Sequence, residues 1–240
     1  MNLTLYRSDS RGKADFGWLK ANFSFSFGSY FNKDNIQFGM LRVLNDDTIA
    51  AGAGFGTHPH DNMEIVTIPL EGGLKHKDSM GNEGVISFGE VQVMSAGSGV
   101  LHSEMNASTR EQAKTLQIWV FPQMQNVEPR YDQKAFDLEN NRNKFVNVVC
   151  PFDKKEGDAL WVYQQTWFNL GMFDGGKSVS YKINRKGNGA YLFLIEGEIK
   201  IDGTTLSNRD AVGITDFDEV EISVEQAAKI LLIEVPMTEI

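Results

Sequence analysis

VTIPLEGGLKHKDSMGNEGVISFGEVQVM, Val66 to Met94, is a run of β-type segments broken by Gly and Asn. Further along, YLFLIEGEIKIDGTTLSNRDAVGI, Tyr191 to Ile214, repeats its plan: Glu-Gly, a strand, a Gly or Asn turn, then an acidic residue before another strand. Two copies of one β unit predict a chain built from two related β halves. The same pattern of short apolar segments and turn residues recurs in FSFSFGSY (Phe23 to Tyr30), FGMLRVLNDD (Phe38 to Asp47) and LQIWVF (Leu116 to Phe121). An all-β sandwich or barrel is the expected class. Short helices are expected only around Ser108 to Ala113 and Gln133 to Asn140.

Between Pro122 and Lys144 the sequence turns polar before β-type sequence resumes at FVNVVC, Phe145 to Cys150. The expected division is therefore a first domain over residues 1–125, a linker over 126–145 and a second domain over 146–240.

With 240 residues, 41% hydrophobic and 23% charged, the chain has the composition of a packed globular protein. Its net charge of -9 argues against a sequence-independent grip on nucleic acid or anionic lipid, which needs clustered Lys and Arg. The amino terminus lacks the apolar core of a signal peptide, and no run is long enough to cross a bilayer, so a cytoplasmic protein is expected. Cys150 is the single cysteine, which excludes an intrachain disulfide; before Pro151 it reads as a small core residue.

The chemistry is concentrated in two short stretches. THPHDNME places His58 and His60 two apart, on one face of an extended chain, with Glu64 four positions on. GVLHSEMN repeats the spacing with His102 and Glu104. Three imidazoles and one carboxylate suit a borderline divalent metal, and a six-coordinate ion would keep two positions open for substrate or dioxygen. Parity alone leaves both Glu64 and Glu104 eligible as the oxygen ligand. The fourth histidine, His76, lies between Lys75 and Lys77 and reads as part of a solvated strand face.

GAGFGTHPHDNME fits the first cupin motif through Gly52, His58, His60 and Glu64. The second motif is looser: Gly99, His102 and Asn106 are in place, without the usual proline. More narrowly, HPHDNMEIVTIPLEGG and MSAGSGVLHSEMN resemble the pirin family, especially its bacterial members. The resemblance continues through RGKADFGWL (Arg11 to Leu19), LRVLNDD (Leu41 to Asp47), QIWVFP (Gln117 to Pro122) and PRY (Pro129 to Tyr131); it is strong in the amino-terminal half and weak beyond.

The resemblance implies a bicupin, two jelly-roll β-barrels in one chain, with one metal in the first barrel held by His58, His60, His102 and Glu104. Glu64 then becomes a close neighbour and, with Glu104, a candidate catalytic base. It also implies one divalent transition metal, Fe(II) first, with Cu, Ni, Co, Mn or Zn as substitutes. The activity implied is that of a quercetin dioxygenase, opening the flavonol ring with O2 and releasing carbon monoxide. The alternative from another class is a metal-dependent, redox-sensing regulatory protein that binds a protein partner; a non-catalytic cupin ranks third. Matching the two internal copies sets Ile183 and Arg185 opposite His58 and His60, and Ile222 and Val224 opposite His102 and Glu104. No histidine follows His102, so the second barrel is expected not to rebuild the site. A chain that already holds two packed barrels is expected to be monomeric.

Overall fold

The computed structural model describes residues 1–155 and 157–238. Among these residues there is no α-helix, only a 3-10 turn at Ser8–Ser10 and twenty strands. The first twelve are β1 (Asn2–Tyr6), β2 (Gly12–Asp15), β3 (Leu19–Phe23), β4 (Leu41–Ile49), β5 (Gly54–His60), β6 (Glu64–Glu71), β7 (Gly73–Asp78), β8 (Glu83–Ser87), β9 (Glu90–Ser95), β10 (Val100–Asn106), β11 (Ala113–Val120) and β12 (Arg130–Ala135). The remainder are β13 (Val146–Pro151), β14 (Leu160–Val162), β15 (Trp167–Phe173), β16 (Lys177–Lys182), β17 (Asn188–Ile201), β18 (Thr204–Ser207), β19 (Ala211–Thr215) and β20 (Glu219–Pro236).

In the first half, β12-β9-β6-β11-β4-β3-β2 form one sheet and β5-β10-β7-β8 a second. The two pack together through Leu19, Ala21 and Ile49 on one side and Leu74 and Ile86 on the other. The second half is a sheet ordered β1-β19-β17-β20-β15-β13-β14, with β16 added to β20 and β18 to β17. This is the expected pair of cupin barrels, and the internal repeat has a structural counterpart. Gly72, after Glu71, takes φ +71° between β6 and β7. Gly197, after Glu196, takes φ +103° within β17, where the register with β20 shifts on both sides of Glu196 and Glu198. A Cβ on Gly197 would collide with the Ala227 carbonyl. Glycine is required at that bend both for its φ and for the close backbone approach.

Strand β1 pairs with β19, so the first residues of the chain extend the sheet of the second half. The polar segment 126–145 contains β12, which pairs with β9 over Arg130–Ala135. An apolar cluster joins the halves, with Leu44, Val66 and Ile118 from the first packed among Val149, Phe168, Phe193 and Ile233 from the second.

The two short helices expected from sequence are replaced by turns and strand ends. At Ser108 the hydroxyl accepts the N–H groups of Arg110 and Glu111, while Asn106 Oδ1 accepts that of Ser108. These local side-chain bonds compete with a helix too short to be stable alone. The Gln133 to Asn140 stretch ends β12 and then turns, with Asp137 Oδ1 accepting the N–H of Asn140. Cys150 is buried in β13. No helix among the described residues is long and apolar enough to cross a membrane.

Candidate metal centre

Strand β10 is the centre of the site. Its burial alternates without exception: Val100, His102, Glu104 and Asn106 face inward, and the residues between them outward or to the margin. On one side it pairs antiparallel with β5, setting His102 opposite His58 and Val100 opposite His60, with a register shift before Glu104. Side chains opposite each other across such a pair share a face. The rings of His58, His60 and His102 accordingly converge, with centroids 4.4 Å (His58 to His102), 4.8 Å (His60 to His102) and 4.9 Å (His58 to His60) apart. One donor atom from each lies within 4.8 Å of the others.

Each ring has a distinct setting. His58 Nδ1 is 2.8 Å from the Gly56 carbonyl, which calls for a hydrogen there and leaves Nε2 as the bare nitrogen. His60 stands edge-on to Trp119 at 4.9 Å. Both nitrogens of His102 are buried with no hydrogen-bond partner. Burial, then the neighbouring imidazoles, pushes His102 down to about 3 and His60 down to about 4. These rings are therefore neutral near pH 7, the form that presents a lone pair to a metal.

Glu104 is buried on the same face of β10. Its Oε1 accepts Thr67 Oγ1 at 3.3 Å and its Oε2 accepts Gln117 Nε2 at 2.6 Å. Burial pushes its carboxyl up to about 7 against those two hydrogen bonds; a cation beside it would favour the ionised form. Unpaired buried imidazole nitrogens together with an anchored carboxylate fit a divalent transition metal by donor chemistry.

The structure does not bring Glu64 to this cluster. The straight strand assumed in the parity argument is broken after His60, where Asn62 takes φ 44°, and β6 starts in the other sheet. Thr67 faces Glu104, so Glu64, three residues earlier, lies on the opposite face with Val66 and Ile68, which pack toward the second half. There Glu64 accepts Ser95 Oγ at 2.7 Å. Burial pushes its carboxyl up to about 7, with Ser95, a Tyr163 backbone hydrogen bond and Arg130 opposing.

His76 is not on a solvated face: it is buried at 0% exposure, stacked on Tyr131 at 4.5 Å, and its Nε2 is 3.0 Å from Asp78 Oδ2. The flanking lysines carried the signal. In β7 Lys75 and Lys77 point out, so the period of two turns His76 in.

His58, His60 and Glu104 open onto a cavity of about 280 Å³ with an apolar wall that includes Phe16, Leu19, Phe23, Phe27, Phe55 and Trp119. Its polar lining contains a residue the sequence reading missed, Asp47. Asp47 is 4% exposed, its Oδ1 has no partner, and burial, then Asp46 and Glu104, push its carboxyl up to about 8. The available signal was Asn45-Asp46-Asp47 inside a strand whose other inward positions are Leu41, Val43, Leu44 and Ile49. In the second barrel the corresponding positions are filled otherwise: Ile222 and Val224 belong to an apolar core, and the Arg185 N–H is bonded to Glu234.

A two-barrel cupin with clustered imidazoles in one barrel is the class that fold and side chains define. Comparison with known proteins narrows it. The family model described as Pirin matches residues 6–120, and that described as Quercetinase C-terminal cupin domain matches residues 148–235. A protein of Escherichia coli named quercetin 2,3-dioxygenase is 35% identical over 97% of this chain and 98% of its own. A pirin-like protein of Caulobacter vibrioides is 37% identical over 94% and 96%. The crystal structure of YhhW from Escherichia coli superposes with a TM-score of 0.92 at 35% identity, covering 98% of both chains. That of the bacterial pirin YhhW in complex with nickel(II) gives 0.91 at 34%, covering 98% and 99%. The chain belongs to the pirin family.

Proposed function

We propose that the chain is a metal-dependent dioxygenase that opens the flavonol ring of quercetin with O2, releasing carbon monoxide and a depside. The observation that carries this reading is the cluster of His58, His60 and His102, with Glu104 next to His102 on the same face of β10, beside an aromatic-walled cavity. These four residues would hold one divalent transition metal. Fe(II) is the first candidate, and the nickel(II) complex of the related YhhW supports a divalent ion. When bound, the metal supplies Lewis acidity toward the flavonol 3-hydroxyl and a site for dioxygen.

The other steps belong to the chain's own side chains. The Phe and Trp wall takes the flat rings of the substrate and excludes water from the reacting end. Thr67 and Gln117 hold the Glu104 oxygens in place, and Glu104 is the carboxylate we assign to accept the 3-hydroxyl proton. Asp47, protonated near neutral pH, offers a hydrogen bond to oxygen developing negative charge in the cavity. Glu64 is left out of the catalytic set because it lies on the face of β6 opposite Thr67 and Glu104, against Tyr163 of the second half.

The test is aerobic quercetin turnover by protein loaded anaerobically with Fe(II), and in parallel with Ni, Co, Cu or Mn. Loss of flavonol absorbance and release of carbon monoxide are followed. Turnover is expected to require both the metal and His60 and to vanish in His60→Ala. Stoichiometric metal without turnover in any loaded form would overturn quercetin as the substrate.

A further inference from the structure

His76 is the one imidazole outside the proposed ligand set, yet its surroundings are those of a ligand. Strands β7 and β10 are antiparallel neighbours, with Glu104 opposite His76 and His102 opposite Asp78. These four side chains therefore share the inner face of the sheet. His76, His102 and Glu104 are all buried, and one donor atom from each lies within 4.8 Å of the other two.

Asp78 sets the His76 ring. Its Oδ1 accepts the N–H groups of Met80 and Asn82, and its Oδ2 accepts the Asn82 side-chain amide. The remaining donor to Oδ2 is His76 Nε2, at 3.0 Å. A carboxylate ringed by donors is ionised, so Nε2 carries the hydrogen and Nδ1 the lone pair. That Nδ1 is buried without a partner, as are both nitrogens of His102. An imidazole oriented by a carboxylate through one nitrogen, with the other bare, is the arrangement that serves metal-ligating histidines.

We propose that His76 is a further metal-ligating residue, and that His76, His102 and Glu104 form an inner position for a divalent transition-metal ion, sharing His102 and Glu104 with the outer set of His58, His60, His102 and Glu104. The inference rests on reading the first barrel as a metal centre. Two imidazoles and a carboxylate take the same borderline ions as the outer group. The difference lies in access: His58 and His60 are half-buried and line the cavity, whereas His76 and His102 are buried and outside its lining, and Glu104 alone of the inner three borders it. An ion at the inner position lies toward β7, on the far side of β10 from His58 and His60, as a resting or loading state of the centre.

The test uses the full chain, stripped of metal and titrated anaerobically with Co(II), with bound cobalt counted by elemental analysis. The His58→Ala/His60→Ala double variant is expected to retain cobalt. Asp78→Asn in that background is expected to weaken binding roughly 10–100-fold, and His76→Gln to abolish it. Circular dichroism checks that each variant folds. If the triple variant does not fold, the anomalous cobalt peak in crystals of the double variant decides. A peak at bonding distance from His76 supports the inner position; a peak elsewhere, or none, overturns it. A double variant that binds no cobalt, or binds equally with His76→Gln, also overturns it. If the unsubstituted chain binds cobalt and turns over quercetin while the double variant binds none, the inner position alone falls. If the unsubstituted chain binds no metal, the dioxygenase reading falls with it.

Discussion

Asp47 and Glu104 line one cavity, and Glu104 adds to the burial and the Asp46 charge that raise the proton affinity of Asp47. This has a measurable consequence for the metal-free protein. The folded-state value of Asp47, about 8, lies above its ordinary 3.8, so between those limits the folded chain keeps a proton that the unfolded chain has released. Stability therefore falls as pH rises through the window. His60 and His102, pushed down to about 4 and 3, act in the opposite sense, but only below the ordinary imidazole value of 6.5. Between pH 6.5 and 8.5 the raised carboxyls of Asp47, Glu64 and Glu104 set most of the slope, the imidazoles contributing only near its lower end. Asp47→Asn should flatten it, stabilising the metal-free protein at pH 8.5 by roughly 1–3 kcal/mol relative to its effect at pH 6.5. Glu64 and Glu104, pushed up to about 7, keep part of the slope. Urea melts with chelator at the two pH values measure it; equal slopes in both proteins would remove Asp47 as a buried proton holder.

At the scale of elements, the turn between β9 and β10 positions the residues that matter most. Gly97 takes φ +49° there, and its carbonyl accepts the N–H of Asn62, the residue at the break between β5 and β6. A Cβ on Gly97 would run into the Val127 carbonyl. Gly97→Ala should cost about 1–3 kcal/mol in stability, from φ strain and the lost close approach. Because the same turn launches β10 toward His102 and Glu104, weaker metal binding should accompany the lower Tm. Thermal melting with and without metal reads both. This region also marks the limit of parity arguments. Within unbroken β10 the spacing of His102 and Glu104 was a sound guide, and within β7 the two lysines would have turned His76 inward had the alternation been followed. Across the break at Asn62 the same rule gave Glu64 the wrong face, because a positive-φ residue resets the direction of every side chain after it.

For the whole molecule, the pairing of β1 with β19 and the apolar cluster between the halves tie the two barrels together. Tyr6 packs on Phe25 and Tyr191, from the two halves, at 6.2 and 5.3 Å between ring centroids. Arg7 reaches Asp210 at 2.7 Å. Each fully buried Leu, Val or Phe across that seam is worth about 1.5–3 kcal/mol, so neither half should hold its structure with the seam exposed. Calorimetry should show one transition with equal calorimetric and van't Hoff enthalpies. Deleting residues 1–7 should lower its Tm. Two separate transitions would mean that the barrels fold independently and that the seam contributes little.

The sequence by itself determined the β class, the repeat of one unit, the lack of histidine in the second half and the two short stretches that supply imidazoles and carboxylates. Each is local: alternation of period two, a Glu-Gly bend, or a missing histidine. The tertiary structure decided which face of the sheet Glu64 occupies, that His76 and Asp78 stand behind His102 and Glu104, and that Asp47 joins the cavity from β4. It also decided that β1 completes the sheet of the other half. These depend on register between strands distant in the chain and on turns that reset side-chain direction. A period of two relates residues within one unbroken strand, whereas which face becomes the interior is set by the strands packed against it.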